Sequence, residues 1–162
     1  MQIGSRTSTN NVLMKKMLLM AAMAVCTMAA QAASDVVGLW TTIDDETKEA
    51  KSVVQIYEYQ GKVYGRVVEL IKNPGAKAKI KGNPSVLGMD IIWDLEKDDD
   101  SYSGGEVLDP EKGKVYGCEI WREGKNLIVR GKIAFLGRNQ TWLPNTTSKA
   151  KVSNPTPKKP AL

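Results

Sequence analysis

Between Val36 and Leu143 the sequence shows no long helical period; instead, short runs rich in β-branched and aromatic residues recur between turn signals. Eight such runs are predicted as strands, over residues 37–43, 51–59, 62–71, 89–97, 102–108, 114–122, 126–133 and 138–143. Most breaks between them are hairpin-sized. Gln60-Gly61, Asp98-Asp99-Asp100-Ser101, Asp109-Pro110-Glu111-Lys112-Gly113 and Glu123-Gly124-Lys125 supply the residues that tight antiparallel turns require. A meander of this kind leaves two unpaired edges unless its first and last strands meet. The pattern therefore predicts an all-β, eight-stranded antiparallel up-and-down β-barrel. At that strand number the interior is either filled by side chains or just wide enough for one small ligand. One long connection, residues 72–85, is rich in Pro, Gly, Asn and Lys and is expected to be a lid or Ω-loop.

Both ends of the chain fall outside this pattern. Lys15-Lys16 precedes an apolar run from Met17 to Met28 and then Ala30-Gln31-Ala32, the layout of a secretory signal peptide. Residues 1–32 are read as that signal, cut before Ala33, with Met14 as an alternative start. The run is too short for a membrane-spanning helix, which needs about 20 apolar residues. Cys26 follows Val25 rather than a small residue, which argues against lipidation. Residues 33–148 are assigned to the barrel. Residues 149–162, with three prolines and four lysines, are expected to be a disordered Lys/Pro tail, because so few apolar groups cannot offset the entropy of ordering.

Charge follows the same division. The 162 residues carry 23 Lys+Arg and 18 Asp+Glu, a formal +5. Arg6, Lys15 and Lys16 leave with the signal, and Lys149, Lys151, Lys158 and Lys159 sit in the tail, so the barrel segment is close to neutral. The basic pI thus gives no reason to propose a nucleic-acid partner. With His at zero, Ser-His-Asp and Cys-His nucleophiles and His-ligated metals are excluded. Loss of Cys26 leaves Cys118 alone, so no intramolecular disulfide forms, and a buried, inert thiol is expected.

Gly38-Leu39-Trp40 on the first strand resembles the G-x-W motif that opens lipocalin-like (calycin) barrels, and Arg138 resembles their late arginine. The resemblance implies a barrel-closing pair, Trp40 and Arg138, in which a guanidinium covers an indole and satisfies carbonyls where strands end. A wider pattern covers nearly the whole predicted barrel: residues 37–47, Asp109-Pro110, residues 113–118, Val129-Arg130-Gly131 and residues 136–142. It is similar to the bacterial exported family called domain of unknown function 2147. That resemblance implies export and a calycin-like fold and carries no substrate or reaction with it.

Acidic clusters at Asp44-Asp45-Glu46 and Asp98-Asp99-Asp100 are read as solvated turns, because adjacent carboxylates do not converge on a point and neither stretch has calcium-loop spacing. Asp44, Asp45 and Asp109 are candidates for capping turn amides. Lys72, Lys77, Lys79 and Lys81 have no interleaved aromatic residues and read as a solvated loop. With no convergent catalytic group, no metal and no cofactor expected, the sequence favours a non-enzymatic exported barrel, periplasmic or secreted. Its expected ligand is a small, partly apolar molecule or lipid of the cell envelope. The alternative is a ligand-free barrel that docks to an envelope protein or the cell wall. Aromatic residues chosen by alternation as lumen or mouth candidates are Tyr57, Tyr64, Trp93, Tyr116, Trp121 and Phe135. On the sixth strand Tyr116, Cys118 and Ile120 share one face and Val115, Gly117, Glu119 and Trp121 the other, with the lumen side left open.

Overall fold

The computed structural model describes residues 35–153 and 155–162; the signal-like segment, its cut before Ala33 and Cys26 lie outside them. Eight strands follow in order: β1 Gly38–Ile43, β2 Ala50–Tyr59, β3 Lys62–Leu70, β4 Asp90–Asp98, β5 Ser101–Asp109, β6 Lys114–Glu123, β7 Asn126–Ile133 and β8 Leu136–Pro144. Each pairs antiparallel with its neighbour, and β1 closes on β8 through Trp40↔Pro144 and Thr41↔Leu143. The closed, up-and-down barrel is the predicted architecture, reached because every hairpin break turns the chain straight back on itself. At Gln60-Gly61 both residues take positive φ, 51° and 79°, the twist a two-residue hairpin needs.

Register fixes which side chains enter the barrel. Gly65 pairs with Ile56 and Ile92, and a Cβ added there would touch both side chains and Val54, so these residues share the inner face. On β6, Cys118 pairs with Gly105 and Gly131, and the Gly131 position meets Tyr116 and Val107. Tyr116, Cys118 and Ile120 therefore face inward and Glu119 and Trp121 outward, which resolves the choice that alternation leaves open. Ile56, Ile92, Leu95, Ile120 and Leu127 are completely buried. Each such side chain contributes about 1.5–3 kcal/mol of transfer free energy. At Gly105 any Cβ would run into the backbone carbonyl of Trp93, where β4 is deformed at Asp94 (φ 62°), so only glycine fits opposite that deformation.

The long connection between β3 and β4 is tied down rather than free. The Gly88 amide donates to the Val67 carbonyl of β3 and the Val67 amide to the Met89 carbonyl, Lys79 donates to the Pro110 carbonyl, and Ala78 and Val86 are buried in the apolar cluster. The segment after β8 also differs from the expected disordered tail. Its backbone bonds to Gln55, Arg66 and Asp90, and its Lys159 side chain to Glu106, as it crosses the outside of the barrel. Composition alone misses this because the ordering contacts are polar and aromatic groups supplied by the barrel, not apolar groups of the segment itself.

Candidate functional site

The two ends of the barrel differ. At the end where β1 begins, Trp40 points inward, 3% exposed, and its indole N–H donates to the Val36 carbonyl at 2.9 Å. The guanidinium that covers it belongs to Arg122, 4.9 Å from the ring. Arg122 also donates to the carbonyls of Asp35 and Gly124 at 3.0 and 3.1 Å. With Val36, Val63, Leu95 and Leu127 buried around them, this end is sealed. The Trp–Arg closure expected from the G-x-W motif thus exists with a different arginine. Arg138 lies at the opposite end of the barrel, because β8 runs from that end toward Trp40 and Arg138 sits near its start.

At that other end the inward positions are looser. Val107, Tyr116 and Gly131 are only half-buried, and the β7–β8 turn lifts Ile133, Phe135 and Leu136 into solvent, with Phe135 94% exposed. A polar chain descends from the rim: Arg138 contacts Asp45 Oδ2 at 2.8 Å, Gln140 donates to the same oxygen at 2.9 Å, and the Trp142 indole donates to Gln140 Oε1 at 3.4 Å. Arg138 and Gln140 pair with Gly131 and Val129, which places them in the inward phase. Asp45 is held by the neighbouring turn, where Asp44 Oδ1 accepts the amides of Glu46 and Thr47 at 3.0 and 2.8 Å. Those amides, with Lys72 on the other oxygen, hold the Asp44 carboxyl well below the usual range. Asp109 caps its own turn in the same way, accepting from Glu111 and Lys112.

Of the six aromatic candidates, Tyr116 alone faces the lumen, and Phe135 stands on the rim. Tyr57, Tyr64, Trp93 and Trp121 are on the outer wall. Tyr57 stacks on its cross-strand partner Tyr64 with ring centroids 5.6 Å apart, beside Arg66 and Asp90. Trp93 donates to Glu106 at 2.8 Å, and Trp121 lies under Arg130 in an open groove with Glu119 and Asp98–Ser101. Alternation misplaces Tyr57, Tyr64 and Trp93 because the outer face of β2–β5 is itself covered, which buries them as a lumen would; Trp121, on β6, is instead held outside under Arg130. The residues that sequence reasoning missed are Asp45, Arg138 and Gln140 as a rim cluster. A signal existed, since Arg138 and Gln140 are polar at positions in alternation phase with Trp142.

Cys118 is 3% exposed, and burial pushes its thiol up from 9.0 to about 12. Three decades less thiolate than an ordinary cysteine should slow alkylation of the native protein on the order of a thousandfold relative to the urea-unfolded chain. Iodoacetamide labelling followed by peptide mass spectrometry checks this; equal rates would mean the thiol is not enclosed. Among the described residues no group of three Cys, Asp or Glu side chains could hold a metal, and no helix is long and apolar enough to cross a membrane.

Fold and site together define a lipocalin-like β-barrel, closed by Trp40 and Arg122 at one end and lined by half-buried inward residues at the other. The chain belongs to the family of uncharacterized proteins conserved in bacteria termed domain of unknown function 2147, whose sequence model matches residues 38–143. A solved structure with the same fold is protein HP1028 from the human pathogen Helicobacter pylori, which is described as belonging to the lipocalin family. It superposes with a TM-score of 0.62 at 21% identity, over 72% of this chain and 86% of that one. No curated protein matches the sequence.

Proposed function

We propose that this protein is an exported, non-enzymatic barrel of the cell envelope that holds one small, partly apolar molecule at its open end. The observation that carries the reading is the contrast between the ends. One is closed by Trp40 and Arg122, whereas the other carries half-buried inward Val107 and Tyr116, the Arg138–Asp45–Gln140 chain and the exposed Phe135. An apolar wall with a few fixed polar groups is the composition of small-molecule sites, where burial gives affinity and the polar groups fix orientation. Export rests on the basic, apolar and Ala-x-Ala pattern of residues 15–32.

Native mass spectrometry of protein purified from the producing cell tests this. A defined adduct of small-molecule mass is expected on the wild type. It should be lost or strongly reduced in a Tyr116→Ala variant that still melts cooperatively. A bare mass for the wild type, or an adduct unchanged in Tyr116→Ala, overturns the reading. In that event the exposed Ile133–Phe135–Leu136 tip favours the alternative of a ligand-free barrel that docks to another envelope component.

A further inference from the structure

Outward-facing residues of a barrel in water are normally polar, yet on the outer wall of β2–β5 Val53, Tyr57, Asp90 and Trp93 are each at most 3% exposed. The segment after β8 covers them. It first hydrogen-bonds along β1, with Asn145 bonded to Leu39 and Thr41, and then reaches Glu69 through Ser148. Its backbone is then read at three stations. Gln55 donates to the Val152 carbonyl at 2.9 Å and accepts the Val152 amide at 2.8 Å, the reciprocal pair of a β-ladder made by one side chain. Arg66 donates to the Thr156 carbonyl at 2.8 Å, and Asp90 Oδ2 accepts the Lys158 amide at 2.7 Å. One side chain is read as well: Lys159 lies 4.8 Å from the Trp93 ring centroid, with its ammonium 3.0 Å from Glu106 Oε2. Glu106 is held in place by the Trp93 indole N–H, and both bonds draw its carboxyl below the usual range.

These contacts match one ligand chemistry. Among the described residues from Lys151 onward, Pro155, Pro157 and Pro160 are the half-buried positions, between exposed ones. Proline holds such a segment extended at low entropic cost and needs no amide acceptor where the wall offers none. Lys158 supplies the amide that Asp90 requires, and Lys159 the cation that Trp93 and Glu106 enclose. Every wall residue named lies within the family-matched span, residues 38–143, whereas the segment lies beyond it. We infer that the outer wall of β2–β5 is a peptide-recognition groove for an extended segment that carries spaced prolines and a lysine pair, and that the chain's own residues from Val152 to Pro160 are its ligand.

Hydrogen exchange on the full chain is the first test. The Val152 and Lys158 amides are expected to exchange at least tenfold more slowly than in a free peptide of residues 150–162. Equal rates overturn the inference. A full-length Lys158→Pro/Lys159→Glu variant then releases the segment without altering the wall, and the wild-type peptide is titrated into it by calorimetry. A tethered segment has an effective concentration in the millimolar range. Tenfold protection therefore predicts saturable binding with Kd of about 0.1 mM or tighter. Adding Gln55→Ala should weaken this several-fold. If the folded variant binds no peptide at millimolar concentration, the wall merely accommodates a tethered neighbour and the groove reading falls.

Discussion

Replacing Trp40 with alanine should lower the unfolding free energy by about 3–5 kcal/mol, the cost of deleting a large aromatic side chain at a packed site. For a domain of this size that is a fall in Tm of roughly 10–25 °C. The indole is buried, its N–H has a single partner in the Val36 carbonyl, and its face is covered by Arg122. Truncation opens a cavity at the sealed end and frees that carbonyl, so both the transfer and the cavity costs apply. Arg122→Ala should also destabilise, because it uncovers the ring and leaves the Asp35 and Gly124 carbonyls without their donor. A double-mutant cycle between the two should give a coupling of about 0.5–2 kcal/mol, as expected for a partly desolvated cation over an indole. Arg138→Ala should stay within about 0.5 kcal/mol, since an exposed ion pair to Asp45 contributes little. Urea unfolding of the three variants checks all of this. A Trp40→Ala shift no larger than that of Arg138→Ala would mean that the Trp40 end is not what closes the barrel.

The exchange of arginines shows where sequence reading reaches its limit. Strands, hairpins and closure follow from local signals: β-branched runs, Gly and Asp at breaks, and the edge problem of an open meander. Those signals lie within a few residues of the structure they specify. Gly38-Leu39-Trp40 is equally local, so the closing tryptophan is legible. Its arginine is set by which strand ends lie near Val36, and that depends on the whole barrel. Arg122 sits at the sealed end because β6 runs toward it, whereas the start of β8 carries Arg138 away. The aromatic residues pose a different problem. Alternation divides a strand into two faces and identifies the inner one only if the outer face is wet. Tyr57 and Trp93 defeat it because residues following β8 cover them, and those residues are too polar to look like a covering layer. The rim cluster joins Asp45 to Arg138 across nearly the full length of the barrel sequence, which no spacing rule connects.

Asp90→Ala should destabilise by about 3–5 kcal/mol, the usual consequence of removing one partner from a buried ion pair. Asp90 is 1% exposed and accepts two hydrogen bonds from Arg66, at 2.9 and 2.8 Å, one from the Tyr57 hydroxyl at 3.0 Å and one from the Lys158 amide. Truncation strands a guanidinium whose side chain is 13% exposed, together with a phenol and an amide. The loss should be largely recovered in Arg66→Met/Asp90→Leu, because removing both charges removes the desolvation penalty with the attraction. Failure of that double variant to regain stability would assign the role of Asp90 to its contact with Lys158 instead. Tyr57 gives an independent readout. Burial first, and the facing carboxylate second, raise its ionisation well above the ordinary 10.0. A raised phenol pKa stabilises the fold at all pH values below the unfolded value, and this contribution is lost as pH climbs above it. In Asp90→Ala the carboxylate no longer opposes the phenolate while burial remains. The Tyr57 transition, followed by absorbance of the phenolate, should therefore move down in pH without returning to that of a free tyrosine. An unchanged transition in a folded Asp90→Ala protein would show that the hydroxyl does not face Asp90.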